Sequence, residues 1–332
     1  GDLQAKFSGG SGTQADPYQL ATAENMSELA GLVNSGISFS GKYFKLTADI
    51  ALPDKDKWTP IGCKINPNMG IEAGKNLYAF SGTIDGAKEG TDGECWTLTV
   101  PQNGLPLLGY VKGATVKNLN LAGKRINGYG LVNNFEGVGL SGNAIKIENV
   151  TIKAGTKIVK SGLLGANMNE NPYAGVSAAF VASIKNCTIE AGAVIGCDGD
   201  QNMIGGFAGR MQGTIENCKN YGTVKGKNVV GGIIGFYGSV NKYYNIAGNF
   251  YNTDCGAAKG IGAVKYVDTN VKKPTQASGT TYINTEFGVR DCPTVEGCQW
   301  KAGHNRTDDP LGADASRLAG AVETVPTEAI CY

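Results

Sequence analysis

The feature that most constrains this sequence is an internal repeat. Four short segments can be superposed on one another: VKNLNL at 116–121, IENVTI at 147–152, IKNCTI at 184–189 and IENCKN at 215–220. Each precedes a glycine-rich turn and a second recurring piece: GLVN at 130–133, GLLG at 162–165, GFAG at 206–209 and GIIG at 232–235. Repeats of about 20–50 residues are typical of stacked units that share one continuous core. The sequence therefore predicts a solenoid rather than a catalytic globule.

Each repeat bends at an asparagine. The apolar residues occupy the first, fourth and sixth positions of a repeat, so the period-two alternation of a simple strand slips by one residue at the third position. That position holds Asn118, Asn149, Asn186 and Asn217, which are 31, 37 and 31 residues apart. Asparagine tolerates a left-handed backbone well, and stacked asparagines can hydrogen-bond to one another. The pattern predicts one corner of a parallel β-helix, and hence an all-β fold.

The residue before each asparagine alternates in charge. It is Lys117, then Glu148, then Lys185, then Glu216. Because neighbouring strands lie about 4.8 Å apart, we expect these side chains to form one outward column of alternating sign. Exposed pairs of this kind contribute about 0.2–1 kcal/mol each. We therefore interpret these carboxylates as structural rather than catalytic.

The residue after each asparagine is expected to pack inside the stack. It is Leu119, Val150, Cys187 and Cys218 in the four repeats. We interpret the two cysteines as small buried hydrophobes, with a disulfide between the stacked neighbours as the alternative. The nine cysteines include no CxxC pair, so a zinc ribbon or a thioredoxin-like site has no support. Cys292 and Cys298, close together in the tail, are the best disulfide candidate.

Composition favours a secreted protein of strands and turns. Glycine supplies 50 of the 332 residues, and the net charge is +1 with both signs interspersed. We expect no binding to nucleic acid, because the chain lacks a basic patch. No apolar run approaches the roughly 18 residues of a membrane span. The chain starts at Gly1 rather than Met, from which we expect a removed export signal, and we expect a monomer without a cofactor.

Residues 1–45 have the pattern of an N-terminal cap. Thr22, or alternatively Asn25 with Glu28 three residues later, can start a helix. Met26, Leu29, Leu32 and Val33 lie on one face of that helix, and Gly36 can end it. A strand is expected in YFKLTADIAL at 43–52. A short amphipathic helix of this kind covers the open end of a solenoid.

Several motifs occur together in an order that resembles one known family. They are GSGTQADPYQLATAENMSELA at 10–30, YFKLTADI at 43–50, WTPIG at 58–62, FSGTIDG at 80–86 and ATVKNLNL at 114–121. With the recurring GLLG and GIIG pieces, they resemble the bacterial surface proteins that carry GLUG motifs, over about residues 8–255.

The resemblance implies a right-handed parallel β-helix. Such modules recur in large adhesin-like proteins and beside the protease domains of some immunoglobulin-cleaving enzymes. It implies a surface-exposed binding or spacer module, and it supplies no catalytic residues. The sequence departs from the family at 66–76 and 86–95, which are longer than its usual connections, and the last 60 or so residues match nothing in it.

Enzymatic alternatives are limited by the residue types present. His304 is the only histidine, so an HExxH zinc site is absent and a nucleophile paired with a histidine base is disfavoured. The enzymatic alternative is a polysaccharide lyase or glycoside hydrolase on a β-helix, which would need clustered carboxylates. We expect no catalytic residues.

One segment resembles the start of a calcium loop. In CDGDQN at 197–202, Asp198, Asp200 and Asn202 have a D-x-D-x-N spacing. Met203 stands where an EF-hand loop needs glycine, and Gly209 where it needs the bidentate glutamate. We interpret the segment as a tight polar turn, with a metal site as the alternative.

A ligand is expected where the repeat is interrupted, because insertions in solenoids emerge as loops on one face. The 37-residue step exceeds its neighbours by six residues, and its insertion is rich in amides with one tyrosine. The ligand-binding candidates are Asn167, Asn169, Glu170, Asn171 and Tyr173. Tyrosine beside several amides suits a sugar ring, and a passive loop is the alternative. We expect an extracellular glycan or a host or matrix protein as the partner.

The end of the repeat array is rich in aromatic residues. They are Phe236, Tyr237, Tyr243, Tyr244, Phe250 and Tyr251. We interpret them as core, with a glycan platform as the alternative.

We expect one continuous domain, with a cap at 1–45, a β-helix at 46–270 and an irregular C-terminal cap or tail at 271–332. In this tail a short helix is predicted around 309–322, with Asp309 as its cap and Pro310 in its first turn. The predicted location is the bacterial cell surface.

Overall fold

The computed structural model describes residues 6–64, 77–136, 144–165, 181–240, 246–252, 255–267 and 318–322. In these ranges the chain forms one helix and 25 strands. In chain order they are β1 (Tyr18–Leu20), α1 (Ala23–Val33), β2 (Tyr43–Leu46), β3 (Ile50–Ala51), β4 (Cys63–Lys64), β5 (Leu77–Tyr78), β6 (Thr83–Asp85), β7 (Thr97–Val100), β8 (Leu108–Lys112), β9 (Thr115–Gly123), β10 (Val132–Glu136), β11 (Ile145–Ile152), β12 (Lys157–Ile158), β13 (Val181–Lys185), β14 (Thr188–Ile189), β15 (Val194–Ile195), β16 (Ile204–Gly205), β17 (Ala208–Glu216), β18 (Lys219–Asn220), β19 (Thr223–Val224), β20 (Val230–Gly231), β21 (Ile234–Val240), β22 (Ile246–Ala247), β23 (Asn249–Asn252), β24 (Ile261–Val267) and β25 (Leu318–Val322).

Most strands pair in parallel with the equivalent strand of the next repeat. The largest sheet, called the main sheet here, contains 16 strands and follows the order β1-β2-β6-β9-β11-β13-β17-β21-β24. Within it Ile147 is paired with Val116 on one side and with Ile184 on the other. Equivalent positions of consecutive repeats therefore lie side by side. This confirms the prediction of a mainly β chain with large parallel sheets.

Besides the main sheet, the described residues form two longer parallel ladders and a separate parallel pair of β16 with β20. In the second ladder β8 pairs with β10, and the first residues of β17, a strand shared with the main sheet, pair with β21, which pairs with β24. Single bridges from Val132 to Leu164 and from Leu164 to Ala208 join its two parts. In the third ladder β12, β15 and β19 pair in that order. Each repeat thus contributes short strands to several sheets.

A single inward column runs along the main sheet and forms the centre of the core. Its members are paired in register from repeat to repeat, and each is at most 5% exposed. They are Tyr18, Phe44, Ile84, Val116, Ile147, Ile184, Ile215 and Ile246. The apolar side chains that repeat in the sequence are therefore stacked on one another in space.

The asparagines form the predicted corner. Asn118, Asn149, Asn186 and Asn217 have positive φ angles of 55°, 51°, 56° and 53°. The Nδ2 of Asn149 donates to Oδ1 of Asn118 at 2.9 Å, and Nδ2 of Asn118 donates to Oδ1 of Asp85 at 2.9 Å. The expected left-handed backbone is confirmed at all four asparagines, and the expected hydrogen bond between stacked asparagines is confirmed for Asn118 and Asn149.

The column of alternating charge is also confirmed, and it is longer than predicted. Glu148 is paired in register with Lys117 and Lys185, and Lys185 with Glu216. The column continues toward the N-terminus through Asp85 and Lys45. Its oppositely charged groups approach each other, with 4.0 Å from Lys117 Nζ to Asp85 Oδ2 and 3.7 Å from Lys185 Nζ to Glu216 Oε2.

The second recurring piece begins with a glycine that touches the backbone of the next repeat. We call Gly130, Gly162, Gly206 and Gly232 the glycine ladder. A Cβ at Gly130 would lie 1.9 Å from the carbonyl oxygen of Gly162, and one at Gly162 would lie 2.0 Å from that of Gly206. The N–H of Gly162 donates to the same Gly206 oxygen at 3.0 Å. Only glycine allows this approach at Gly130, Gly162 and Gly206, and at Gly232 a Cβ would instead lie 2.6 Å from Cγ of Tyr251.

The N-terminal helix forms as predicted and lies on the core. Thr22 is its N-cap, in a capping box with Asn25, so Thr22 rather than Asn25 starts the helix. Met26, Leu29 and Val33 are buried on its inner face. The chain turns beyond its last residue at Gly36, whose φ is 114°.

The N-terminal edge of the main sheet is covered. An aromatic cluster fills this end of the core, with ring centroids 4.9–6.3 Å apart among Phe7, Tyr18, Phe39, Phe44 and Phe80. On the outer edge of β1, the N–H of Ser8 donates to Gln19 and the N–H of Gln19 donates to Gly9. Parallel pairing therefore begins at β1, within the predicted cap, and its outer edge is already bonded.

The residues that follow the corner asparagines are core residues. Leu119, Val150, Cys187 and Cys218 are at most 1% exposed. Both cysteines are buried free thiols in this structure, which agrees with their interpretation as small buried hydrophobes. The predicted Cys292–Cys298 pair lies outside the described residues.

The predicted C-terminal helix is wrong over its last residues. Leu318–Val322 form β25, which pairs antiparallel with β23. Helical propensity in this short segment is overridden by the hydrogen-bonding groups that β23, near the end of the repeat array, offers to an added strand. The rest of 271–332 lies outside the described residues.

Candidate functional site

The loop that the sequence marks for ligand binding leaves and re-enters the stack at defined points. Leu164, just before it, is bridged to Val132 and Ala208, and Val181, just after it, begins β13. Asn167, Asn169, Glu170, Asn171 and Tyr173 themselves lie outside the described residues. Their role in binding stays a prediction.

The structure brings together a polar cluster that includes one predicted metal ligand. We call Asn103, Arg125, Cys197 and Asp198 the Asp198 patch. Arg125 donates through Nη2 to Oδ2 of Asp198 and through Nη1 to Oδ1 of Asn103, the latter at 3.1 Å. Cys197 Sγ donates to the other carboxylate oxygen of Asp198 at 3.5 Å. Both oxygens of Asp198 therefore already accept hydrogen bonds.

Local structure explains how these side chains meet. Asn103 has a positive φ of 58° and precedes Gly104, which is bridged to Ile126. Arg125 stands just before Ile126, which is bridged in turn to Ile158 of the third ladder. Asp198 lies in the turn that follows β15 of the same ladder. The patch is thus assembled from the turns beside the third ladder.

The other two predicted metal ligands have separate partners. Asp200 Oδ1 accepts from Gln201 Nε2 at 3.2 Å, and Asn202 Oδ1 accepts from Asn228 Nδ2 at 2.8 Å. No group of three His, Cys, Asp or Glu side chains is placed to hold a metal ion in the described part of the chain. A cation at Asp198 would have to displace the Arg125 guanidinium, and metal binding here stays a prediction.

Ionisation in the patch follows from these contacts. The hydrogen bond from Arg125 lowers the pKa of Asp198, with a smaller contribution from the Cys197 thiol. Burial, then the nearby carboxylate of Asp198, raises the pKa of the Cys197 thiol. At neutral pH Asp198 is therefore a carboxylate and Cys197 is a protonated thiol. This arrangement suits a salt bridge between Arg125 and Asp198 better than it suits a thiolate nucleophile or a general acid.

Arg125→Ala is expected to raise the pKa of Asp198 toward that of a free aspartate. A lowered folded-state pKa stabilises the protein above the ordinary pKa of aspartate, and this contribution is lost as pH falls through the lowered value. The pKa can be followed by the carboxyl carbon shift of Asp198 in an NMR titration. Arg125→Lys is the control, and it should recover only part of the depression because it lacks the planar guanidinium. An unchanged pKa in Arg125→Ala would contradict the assigned cause.

The aromatic residues at the end of the array are mostly core. Tyr237, Phe250 and Tyr251 are buried, with at most 5% exposed. Phe236 is half-buried and lies under the Arg210 guanidinium, 5.5 Å from it. Tyr243 and Tyr244 lie outside the described residues. The interpretation as core is confirmed for the three buried rings, and they offer no platform for a glycan.

Sequence reasoning missed Arg125 and Asn103. Arg125 and Asp198 are 73 residues apart, and Arg125 and Asn103 are 22 apart. The signal that could have located Asn103 is the Asn103-Gly104 pair, which is typical of a turn.

Within the described ranges, no helix has the length and apolar character needed to span a membrane.

Comparisons with known proteins give little beyond this. No protein-family model and no curated protein matches the sequence. Among solved structures, the chain is similar to a crystal structure described as that of a candidate immunoglobulin A1 protease from Bacteroides ovatus. The identity is 18% and the TM-score is 0.46, over 79% of this chain and 77% of that chain.

Proposed function

We propose that this chain is a non-catalytic, adhesin-like module of the bacterial cell surface. It binds an extracellular glycan or a host or matrix protein, or it holds a partner domain away from the cell. Its architecture is a right-handed parallel β-helix with GLUG-type motifs and capped ends. The ligand contacts lie in the inserted loop at 167–177.

The observation that carries this proposal is that polar side chains of the repeats bond to neighbouring repeats. Asp85 accepts from Asn118, which accepts from Asn149, so these groups join one repeat to the next. Lys185 and Glu216 make an ion pair across the following repeats. Groups committed to contacts between repeats hold the stack in register. This is the role that a rigid scaffold or spacer requires.

The spacing of the carboxylates supports the same proposal against a glycosidase. Asp85, Glu148 and Glu216 occupy every second position of the charge column. Carboxylates two strands apart are separated by about 9.6 Å, at the limit of the roughly 5–9.5 Å that glycoside hydrolysis uses. A lysine stands between the two carboxylates of each pair. A carbohydrate-active enzyme remains the alternative that the following experiment decides.

Incubation of the protein with a panel of neutral and acidic polysaccharides is expected to release no new reducing ends and no unsaturated uronates. The matched variants are Asp198→Asn and Asp200→Asn, which alter the carboxylates nearest to a metal-site pattern. Turnover by the unaltered protein that disappears in either variant would overturn the proposal in favour of an enzyme. Because polysaccharide lyases of this architecture can require calcium, the assay is run with and without that ion.

The binding role is tested on a glycan array and on immobilised matrix proteins. We expect binding by the full chain and its loss when residues 167–177 are replaced by a short glycine turn. Circular dichroism must show that the variant keeps its β content. Binding that survives the replacement would remove the loop as the site.

A further inference from the structure

Two cysteines lie opposite each other in adjacent repeats. Thr188 is paired in register with Lys219, and Cys187 and Cys218 immediately precede them. The N–H of Lys219 donates to the carbonyl oxygen of Cys187 at 3.0 Å. Each cysteine follows a corner asparagine with positive φ, Asn186 or Asn217. The two side chains therefore leave equivalent backbone positions and point into the same core column.

Both cysteine side chains are fully buried. Cys187 and Cys218 are both 0% exposed. The Cys187 sulfur lies 3.8 Å from the carbonyl oxygen of Ile147 in the preceding repeat. The Cys218 sulfur also leans toward the preceding repeat, 3.8 Å from the carbonyl oxygen of Ile184.

The backbone spacing fits a covalent link. Adjacent strands of a sheet lie about 4.8 Å apart, within the Cα–Cα range of about 4.4–6.8 Å found for disulfides. The Cβ–Cβ distance in a disulfide is about 3.5–4.5 Å, so stacked Cβ atoms about 4.8 Å apart have to approach each other by about 0.3–1.3 Å. In the same column Leu119 and Val150 fill the earlier positions with larger side chains. The two smaller thiols leave room for such a shift.

We propose that Cys187 and Cys218 are a disulfide-forming pair that clamps two adjacent repeats together. The co-reactant is a small-molecule or protein disulfide. The thiolate of one cysteine attacks it to give a mixed disulfide and release one thiol. The thiolate of the second cysteine then attacks the protein sulfur of that mixed disulfide and releases the second thiol. The two cysteines lose two electrons and two protons, and the co-reactant gains them.

Burial determines when this link forms. In the folded chain both sulfurs are shielded from a co-reactant, and burial raises the pKa of the Cys218 thiol well above its usual range. The exchange therefore takes place during folding, before the repeats close over the pair. Once the repeats have closed, the same burial protects the bond from reductants. This inference does not rest on the proposed function.

The test compares two ways of refolding the full chain. Protein unfolded and reduced in guanidinium is refolded either with a mixture of oxidised and reduced glutathione or with excess reductant, then alkylated and digested with trypsin. Cys187 falls in the peptide 186–210 and Cys218 in the peptide 211–219. Since 186–210 also contains Cys197, the experiment uses the Cys197→Ser variant, and fragment-ion sequencing assigns the sulfur in the unaltered chain.

We expect the linked pair 186–210/211–219 only after oxidative refolding, with a rise in Tm of about 5 °C over the reduced protein. Reductant added to the folded, oxidised protein should leave the link intact, and reductant with guanidinium should cleave it. Cys187→Val is the matched control, because valine fills this slot at Val150. Its Tm should not depend on the refolding conditions. Two alkylated cysteines after oxidative refolding, or an equal rise in Tm in the control, would overturn the proposal.

Discussion

Gly162→Ala is expected to lower the free energy of unfolding by at least about 3 kcal/mol. A Cβ at this position would lie 2.0 Å from the carbonyl oxygen of Gly206, which is backbone and cannot rotate away. The two repeats would have to separate by more than 1 Å, which breaks the hydrogen bond from the N–H of Gly162 to that oxygen. The effect is measured by guanidinium unfolding followed by circular dichroism.

Gly31→Ala is the control for this substitution. Gly31 lies within α1, and a Cβ there would meet nothing within 4 Å. Alanine in a helix interior is more stable than glycine by about 0.5–1 kcal/mol, so the control should be stabilised. Opposite signs for the two variants are the expected result. A Gly162→Ala protein as stable as the unaltered chain would show that the glycine ladder is not in close contact.

Asn149→Ala is expected to cost about 2–3 kcal/mol. Asn149 has a φ of 51°, and alanine in this left-handed region costs about 1–2 kcal/mol. The substitution also removes the 2.9 Å hydrogen bond to Asn118, worth about 1 kcal/mol. Urea or guanidinium unfolding measures the sum.

Asn149→Gly separates the two contributions. Glycine adopts the left-handed backbone without strain, so only the hydrogen bond and some chain entropy are lost. We expect a cost of about 1 kcal/mol, clearly smaller than that of the alanine variant. If alanine is tolerated as well as glycine, the corner does not depend on the backbone conformation.

The part of the fold that could be predicted is the set of columns formed by residues at equivalent positions of each repeat. Asn149, its preceding Glu148 and its following Val150 have different roles, and each role could be assigned because the same three positions recur at 118, 186 and 217. Equivalent residues of recurring segments lie side by side in parallel strands. The face of the sheet that each residue occupies, and the residues beside it, can therefore be predicted from the sequence alone. The capping helix was predictable for a local reason, since Thr22 and Asn25 bond within one turn.

The candidate site was predictable only in part. Asp198 was identified from the spacing of polar residues in one turn, but its partner Arg125 is 73 residues away and belongs to no repeated position. Contacts of this kind depend on how turns of different length fold over the stack. The strand at Leu318–Val322 was missed for the same reason, because its pairing with β23 is set by a distant edge rather than by its own propensity.

The alternating charge column restricts how many repeats can be added to this chain or removed from it. Lys45, Asp85, Lys117, Glu148, Lys185 and Glu216 change sign at every step. Deleting the single repeat that carries Glu148 would place Lys117 against Lys185, and duplicating it would place two glutamates together. Like charges directly opposite each other are destabilising. Two repeats, one of each sign, are therefore the natural unit by which a stack of this kind can lengthen or shorten while every charge keeps an opposite neighbour.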